Sequence, residues 1–142
     1  MSLSEQDLDF LTHHHSAVMI TVGRGGTPKV ARVGVALVDG TLWSSGTADR
    51  VRTRRLRGDP RCTLFVYDPG FAWLALETTV TILDGPDAAE QNLRLFRVMQ
   101  DQPTGPLSWF GADLAGEDFL GAMVDEGRLI YEFEVHHTYG LH

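Results

Sequence analysis

The sequence predicts a mainly β protein, an antiparallel barrel of six strands with short helices at its periphery. Two observations carry that expectation. Six segments read as strands (17–22, 29–39, 41–46, 62–67, 71–83 and 128–135), mostly joined by hairpin turns, with one short helix crossing between the third and the fourth. The last of them alternates Leu129, Tyr131, Phe133 and Val135 with Ile130, Glu132 and Glu134, the period-two pattern of a half-exposed antiparallel strand.

Taken in order, "SEQDLDFLTHH" opens a short helix over 4–13, with Ser4 as N-cap, acids in the first turn, and Leu8, Phe10 and Leu11 spaced for one apolar face. "AVMITV" follows as a buried strand, and "GRGGTP" is turn chemistry in which glycine supplies positive φ. Valine-rich 29–39 leads through Asp39-Gly40, a tight hairpin signal, into 41–46. An arginine-rich helix over roughly 48–57 is stopped by Gly58 and Asp59-Pro60. Asp68-Pro69-Gly70 turns between the fourth and fifth strands. Residues 87–100 space Ala89, Leu93, Phe96 and Met99 helically, 102–118 reads as loop, and a short helix lies near 118–126. No repeat or linker divides the 142 residues, so one domain is expected.

Composition narrows the function. Nineteen acidic residues against twelve Lys and Arg, net charge −7, argue against a general nucleic-acid binder. The N-terminus is polar and acidic, and no stretch is apolar for long enough to span a bilayer, so a soluble cytoplasmic protein is expected, with no membrane partner. The single cysteine, Cys62, excludes an intrachain disulfide.

Against that acidic background, "GTADRVRTRRLRGDPR" sets Arg50, Arg52, Arg54, Arg55, Arg57 and Arg61 into twelve residues. On a helical wheel Arg50, Arg54 and Arg57 share the face away from Val51 and Leu56, whereas Arg52 and Arg55 fall between those two apolar residues, toward the barrel. Like-charge pairs at helical spacing cost about 1 kcal/mol in total, too little to require a ligand. Position argues further: "SSGTAD" brings hydroxyls and a helix N-terminus beside Arg50 and Arg52, the makings of a phosphate site. A solvated helix face with ion pairs to surface acids is the alternative.

These residues resemble the flavin/deazaflavin oxidoreductases of the pyridoxamine 5′-phosphate oxidase-like, FMN-binding split-barrel family, in particular the subgroup that binds the deazaflavin coenzyme F-420. The likeness runs over nearly the whole chain. It is strongest in "SSGTADRVRTRRLRGDPR", with further support in "GGTPKV", "FAWLALETT" and "FLGAMVDEGRLIYEFEVHHTYGL". It implies a six-stranded Greek-key split barrel and a homodimer with the cofactor site at the subunit interface. It also implies a cofactor phosphate held at Ser45, Thr47, Arg50 and Arg52, and a ring lying along Val30, Ala31 and Arg32. Phe71 and Trp73 of the second subunit would close over that ring. Arg55, where relatives commonly have Asn, is an extra cation that could reach a polyglutamate tail or make a salt bridge. Arg52 stands where many relatives have Lys, Thr78 replaces a glycine, and the bulky residue frequent near Gly34 is missing.

The function so implied is hydride transfer from reduced coenzyme F-420 to an unsaturated or conjugated small molecule, without a catalytic nucleophile or metal. FMN is the alternative cofactor. A non-catalytic protein binding a tetrapyrrole, a fatty acid or the deazaflavin is the rival of another class, and single-strand nucleic-acid binding is disfavoured by charge. His13, His14 and His15 would face different ways on a helix and show no ligand spacing with His136 and His137. Ser44, Ser45 and Ser108 lack a nucleophile-elbow context, and "GRGG" lacks the helix of a nucleotide fingerprint. From the residues alone, Trp73, Trp109 and Phe110 read as core, and for Trp109 and Phe110, in the loop-rich segment, a substrate or dimer contact is an equal reading.

Overall fold

Helix α1 (Glu5–His13) is set by a capping box: the Ser4 hydroxyl accepts from the Asp7 amide at 3.0 Å while the Asp7 carboxylate accepts from the Ser4 amide. The computed structural model describes residues 3–142. Strand β1 (Ser16–Val22) leads through a single 3-10 turn into β2 (Pro28–Val38), and Asp39-Gly40, both at positive φ, turns the chain into β3 (Thr41–Thr47). Next come α2 (Val51–Gly58), β4 (Arg61–Tyr67), β5 (Trp73–Leu83), α3 (Ala88–Met99), β6 (Leu107–Trp109), β7 (Ala112–Leu114), α4 (Gly116–Asp125) and β8 (Arg128–Leu141).

The sheet closes in the order β1-β2-β3-β8-β5-β4, with β4 pairing back onto β1 and every neighbour antiparallel. The six expected strands are thus the six staves of a closed barrel, which leaves no long sheet edge open. Alternate residues point inward: Leu64, Val66, Leu74, Leu76 and Tyr131 are fully buried, and α1 adds Phe10 and Leu11 to the same cluster. Each such side chain contributes about 1.5–3 kcal/mol through the apolar area it removes from water. Helix α3 covers Ala36, Val38, Trp43 and Ile130 on the outer wall, and the short β6–β7 hairpin packs with α4 around Leu107, Phe119 and Met123. No helix of the described residues is long and apolar enough to cross a membrane.

Three segments differ from their sequence reading. Helix α2 begins at Val51 rather than near 48, because β3 stays paired to β8 as far as Thr47↔Arg128 and residues 48–50 turn the corner. Strand β8 runs on to Leu141, not 135. The period breaks at a bulge opposite Glu77/Thr78, where His136 is the extra residue, and pairing resumes as far as Trp73↔Leu141. Within 102–118, read as loop, lies the β6–β7 hairpin. Its strands are three residues each, too short to show a period, and its tip is Phe110-Gly111 rather than an Asn-Gly or Asp-Gly signal.

Cys62 lies inside the barrel, and burial pushes its thiol up to about 12. Near neutral pH it is therefore a neutral thiol and a poor nucleophile. The folded value lies above the unfolded one of 9.0, so this residue adds stability below about pH 9 and loses that contribution as pH rises toward 12. A soluble aromatic disulfide reagent at about pH 8 is expected to leave the native protein unmodified and to titrate one thiol in urea. Rapid reaction of the native protein would contradict this.

Candidate functional site

The corner between β3 and α2 is built from three hydroxyls. Thr53 donates to the Thr47 carbonyl at 2.7 Å, which leaves its oxygen to accept from the buried Tyr131 hydroxyl. Thr47 in turn donates its hydroxyl to the Asp49 carboxylate at 2.7 Å. That bond is the largest cause of the lowered Asp49 pKa, with Arg50 and Arg54 acting in the same direction. The Ala48 amide is tied to the Gly127 carbonyl, joining the corner to the start of β8. Arg50 caps α2 with no side-chain hydrogen bond, so the first-turn amides of Val51 and Arg52 have no capping group. The buried side of the helix is Thr53 and Leu56; Val51, expected with Leu56, is exposed.

Beside this corner opens a cleft of about 910 Å³. Of the residues marked in the sequence, Val30, Ala31, Thr47, Arg50, Arg52 and Arg55 line it. The other four lie elsewhere. Ser45 donates its hydroxyl to Asn92 of α3 and does not line the cleft. Arg32 is exposed on β2, opposite Val18. Phe71 is 93% exposed in the turn before β5, and Trp73 stacks on Phe65 at 5.4 Å and meets Tyr139 edge-on.

The structure divides the five arginines that follow Arg50 by their partners. Arg61 forks onto Asp59 through Nε and Nη2, which holds that carboxyl at about 2, and Arg57 pairs with Asp84 at 2.9 Å. Arg54 is exposed and reaches only the Asp49 carbonyl. Arg55 donates to the Thr21 hydroxyl at 2.9 Å from within the cleft wall. Arg52 differs from all of these: its Nε is buried and has no hydrogen-bond partner among the described residues. Burial pulls its guanidinium below the usual arginine range; Tyr131 opposes that shift, and Arg50 and Arg128 add to it.

Sequence reasoning missed Thr21, Lys29 and Arg128, which also line the cleft, together with three acids, Asp49, Asp125 and Glu126. Lys29 lies within "GGTPKV", where no local pattern marks it as a site residue. Arg128 comes to the site only through the Thr47↔Arg128 register, which no local pattern encodes. Five cations against three carboxylates leave a local excess of two positive charges in a chain of net charge −7. Such a cleft attracts an anion of modest size.

The sequence profile described as pyridoxamine 5′-phosphate oxidase matches residues 3–134. The chain belongs to that family. No curated protein matches it. Among solved structures, this pyridoxamine 5′-phosphate oxidase family member is similar to a conserved hypothetical protein, Rv2991, from Mycobacterium tuberculosis (21% identity, 99% of this chain and 86% of that one, TM-score 0.75). It is similar also to an F-420 reductase (21% identity, 96% and 98% covered, TM-score 0.68). A FAD-binding protein from Mesorhizobium loti matches at 16% identity over 99% and 95% of the two chains, with a TM-score of 0.59. At these identities the likeness is one of fold, the split barrel of the pyridoxamine 5′-phosphate oxidase family.

Proposed function

We propose that this chain is a coenzyme F-420-dependent oxidoreductase, holding the phosphate of a deazaflavin in the basic cleft and serving hydride transfer to an unsaturated or conjugated small molecule. The observation that carries the reading is Arg52: a buried guanidinium N–H with no partner, flanked in one cleft by Arg50, Arg55 and Arg128. Leaving such a donor unpaired costs about 1–3 kcal/mol, and a phosphate oxygen is the acceptor that a planar arginine fork matches best. The residues present therefore fit a phosphate-bearing group.

In this reading Arg50, Arg52 and the uncapped amides of α2 hold the phosphate, with Thr47 orienting the corner. Val30 and Ala31 provide the wall for a ring system. Arg55, preset by Thr21, and Lys29 extend the positive surface beyond one phosphate, which favours F-420 with its carboxylate tail over FMN. Bound there, the reduced cofactor supplies a hydride, and water supplies the proton that completes reduction of the acceptor. The chain's own groups bind, orient and shield; none is asked to act as a nucleophile. Similarity to an F-420 reductase supports the choice of cofactor, and similarity to a FAD-binding protein supports a flavin-type group in general, with FMN the alternative.

A homodimer is part of the proposal. Phe65, Trp73 and Tyr139 form an aromatic stripe on the outer barrel wall, with exposed Phe71 and Leu141 beside it. Exposed apolar patches of this kind mark contact surfaces. A second copy seated there would bring Phe71 and Trp73 to the partner's cleft.

The test is a fluorescence titration with F-420 and with FMN, on protein whose mass has been measured by sedimentation. Micromolar binding of F-420, tighter than FMN, to a dimer is expected. Binding of neither would overturn the cofactor reading, tighter FMN binding would transfer it to the alternative, and a monomer would remove the dimer.

A further inference from the structure

The β6–β7 hairpin has no part in the function proposed above, yet it is tied to the cleft by a closed set of contacts. The Trp109 indole is wedged edge-on against Phe96 at 4.9 Å and against the fully buried Phe119 at 5.4 Å. So fixed, its Nε1 donates to Glu126 Oε2 at 2.9 Å. The other oxygen of that carboxylate accepts from Arg128 Nε at 2.9 Å and lies 2.9 Å from Arg128 Nη2. The Arg128 guanidinium then lies 5.0 Å from the centre of the same indole ring, which closes the loop from ring face to cation.

Arg128 is thus held by its side edge and by one face, with its side chain only 10% exposed, and it lines the cleft opposite Thr47. Trp109 does not line the cleft. An arginine free to sample its rotamers would lose that freedom on binding an anion. One already immobilised does not, so the ligand keeps more of the interaction. Glu126 also compensates the cation when the cleft holds no anion, unlike the case of Arg52.

We infer that Arg128 is a further arm of the anion site and that Trp109 and Glu126 are its positioning residues, so that the hairpin sets the affinity of the cleft. The inference rests on the cofactor reading given above. The hairpin acts through the indole N–H and the indole face: Trp109→Phe keeps an aromatic ring against Phe96 and Phe119 but removes the N–H that orients Glu126 and the indole beside Arg128.

The experiment is calorimetric titration of the full chain with F-420 and with FMN, in wild type, Trp109→Phe, Arg128→Met and the double variant, with Arg54→Ala as control. Arg128→Met is expected to weaken the bound cofactor about thirtyfold, as for loss of one partner of a desolvated charge pair. Trp109→Phe should weaken it about fivefold on the wild-type background and by less than about twofold on the Arg128→Met background, because its effect passes through Arg128. Arg54→Ala should bind as wild type.

Wild-type affinity in Trp109→Phe, or the same fold-loss on both backgrounds, would overturn the positioning role; a structural role alone would give the second result. Unchanged affinity in Arg128→Met, with wild type binding, would overturn the inference while leaving the cofactor reading intact. Binding of neither ligand by wild type would remove both. Should Trp109→Phe not fold, Arg128→Lys carries the test. It keeps the charge but cannot span Glu126 and the indole, so about a fivefold loss is expected and wild-type affinity would overturn the inference.

Discussion

Arg52→Met leaves the ligand-free protein as stable as wild type or more so, and lowers cofactor affinity by about a hundredfold, the scale for removing a buried charged donor from a ligand. The two effects oppose each other because Arg52 is costly to the free protein. Its Nε is buried without a partner, and its charge is disfavoured by burial and, more weakly, by Arg50 and Arg128, with Tyr131 opposing both. Methionine fills much of the same volume with no charge to desolvate, and because the Arg52 side chain is only partly buried and solvent screens much of its charge, the ligand-free stability should stay the same or rise slightly. Thermal melts with and without F-420 check both halves. Arg54→Ala, exposed and bonded only to the Asp49 carbonyl, should move neither quantity. Loss of apo stability with affinity retained would mean that Arg52 is a structural residue.

Gly46→Ala is expected to destabilise the barrel strongly. A Cβ at this position would overlap the Tyr131 ring and hydroxyl, well inside van der Waals contact. Tyr131 is fully buried, and its hydroxyl meets Thr53, so the ring cannot retreat without breaking the bond that seats α2. Overpacking of this kind costs about 3 kcal/mol, a drop of roughly 10 °C in melting temperature for a chain of this size. Because the β3–α2 corner would shift with it, cofactor affinity should fall too. Tyr131→Leu in the same chain makes room and should recover part of the stability. A Gly46→Ala variant that melts within about 2 °C of wild type would show that the corner yields more readily than its packing implies.

Barrel closure was legible because its signals are local: Asp39-Gly40 between two apolar runs, and the two-residue period of Leu129 to Val135, each specify a strand without reference to the rest of the chain. Helical geometry separates Arg52 and Arg55 from Arg54 and Arg57, but it also put Arg50 on the outer face and Val51 toward the barrel, whereas Arg50 lines the cleft and Val51 is exposed because α2 begins only at Val51. What stayed hidden is set by register and by bulges. Arg128 reaches the cleft because it pairs with Thr47, far away in sequence, and Ser45 is engaged by Asn92 of α3 instead of the cleft. The extension of β8 past Val135 was masked by the bulge at His136, which shifts the alternation by one. Trp109 read as either core or a substrate or dimer contact; its ring packs beside Phe119 and Met123 as core, and its N–H bonds Glu126, a link that no local pattern encodes.

The cofactor reading stands on one atom, the unpaired Nε of Arg52, and a crystal structure with F-420 bound tests it most directly. A cofactor phosphate oxygen is expected within hydrogen-bonding distance of Arg52 Nε, with Arg128 unmoved against Trp109 and Arg54 in solvent. A phosphate held by other residues, with Arg52 Nε still lacking a partner, would contradict it.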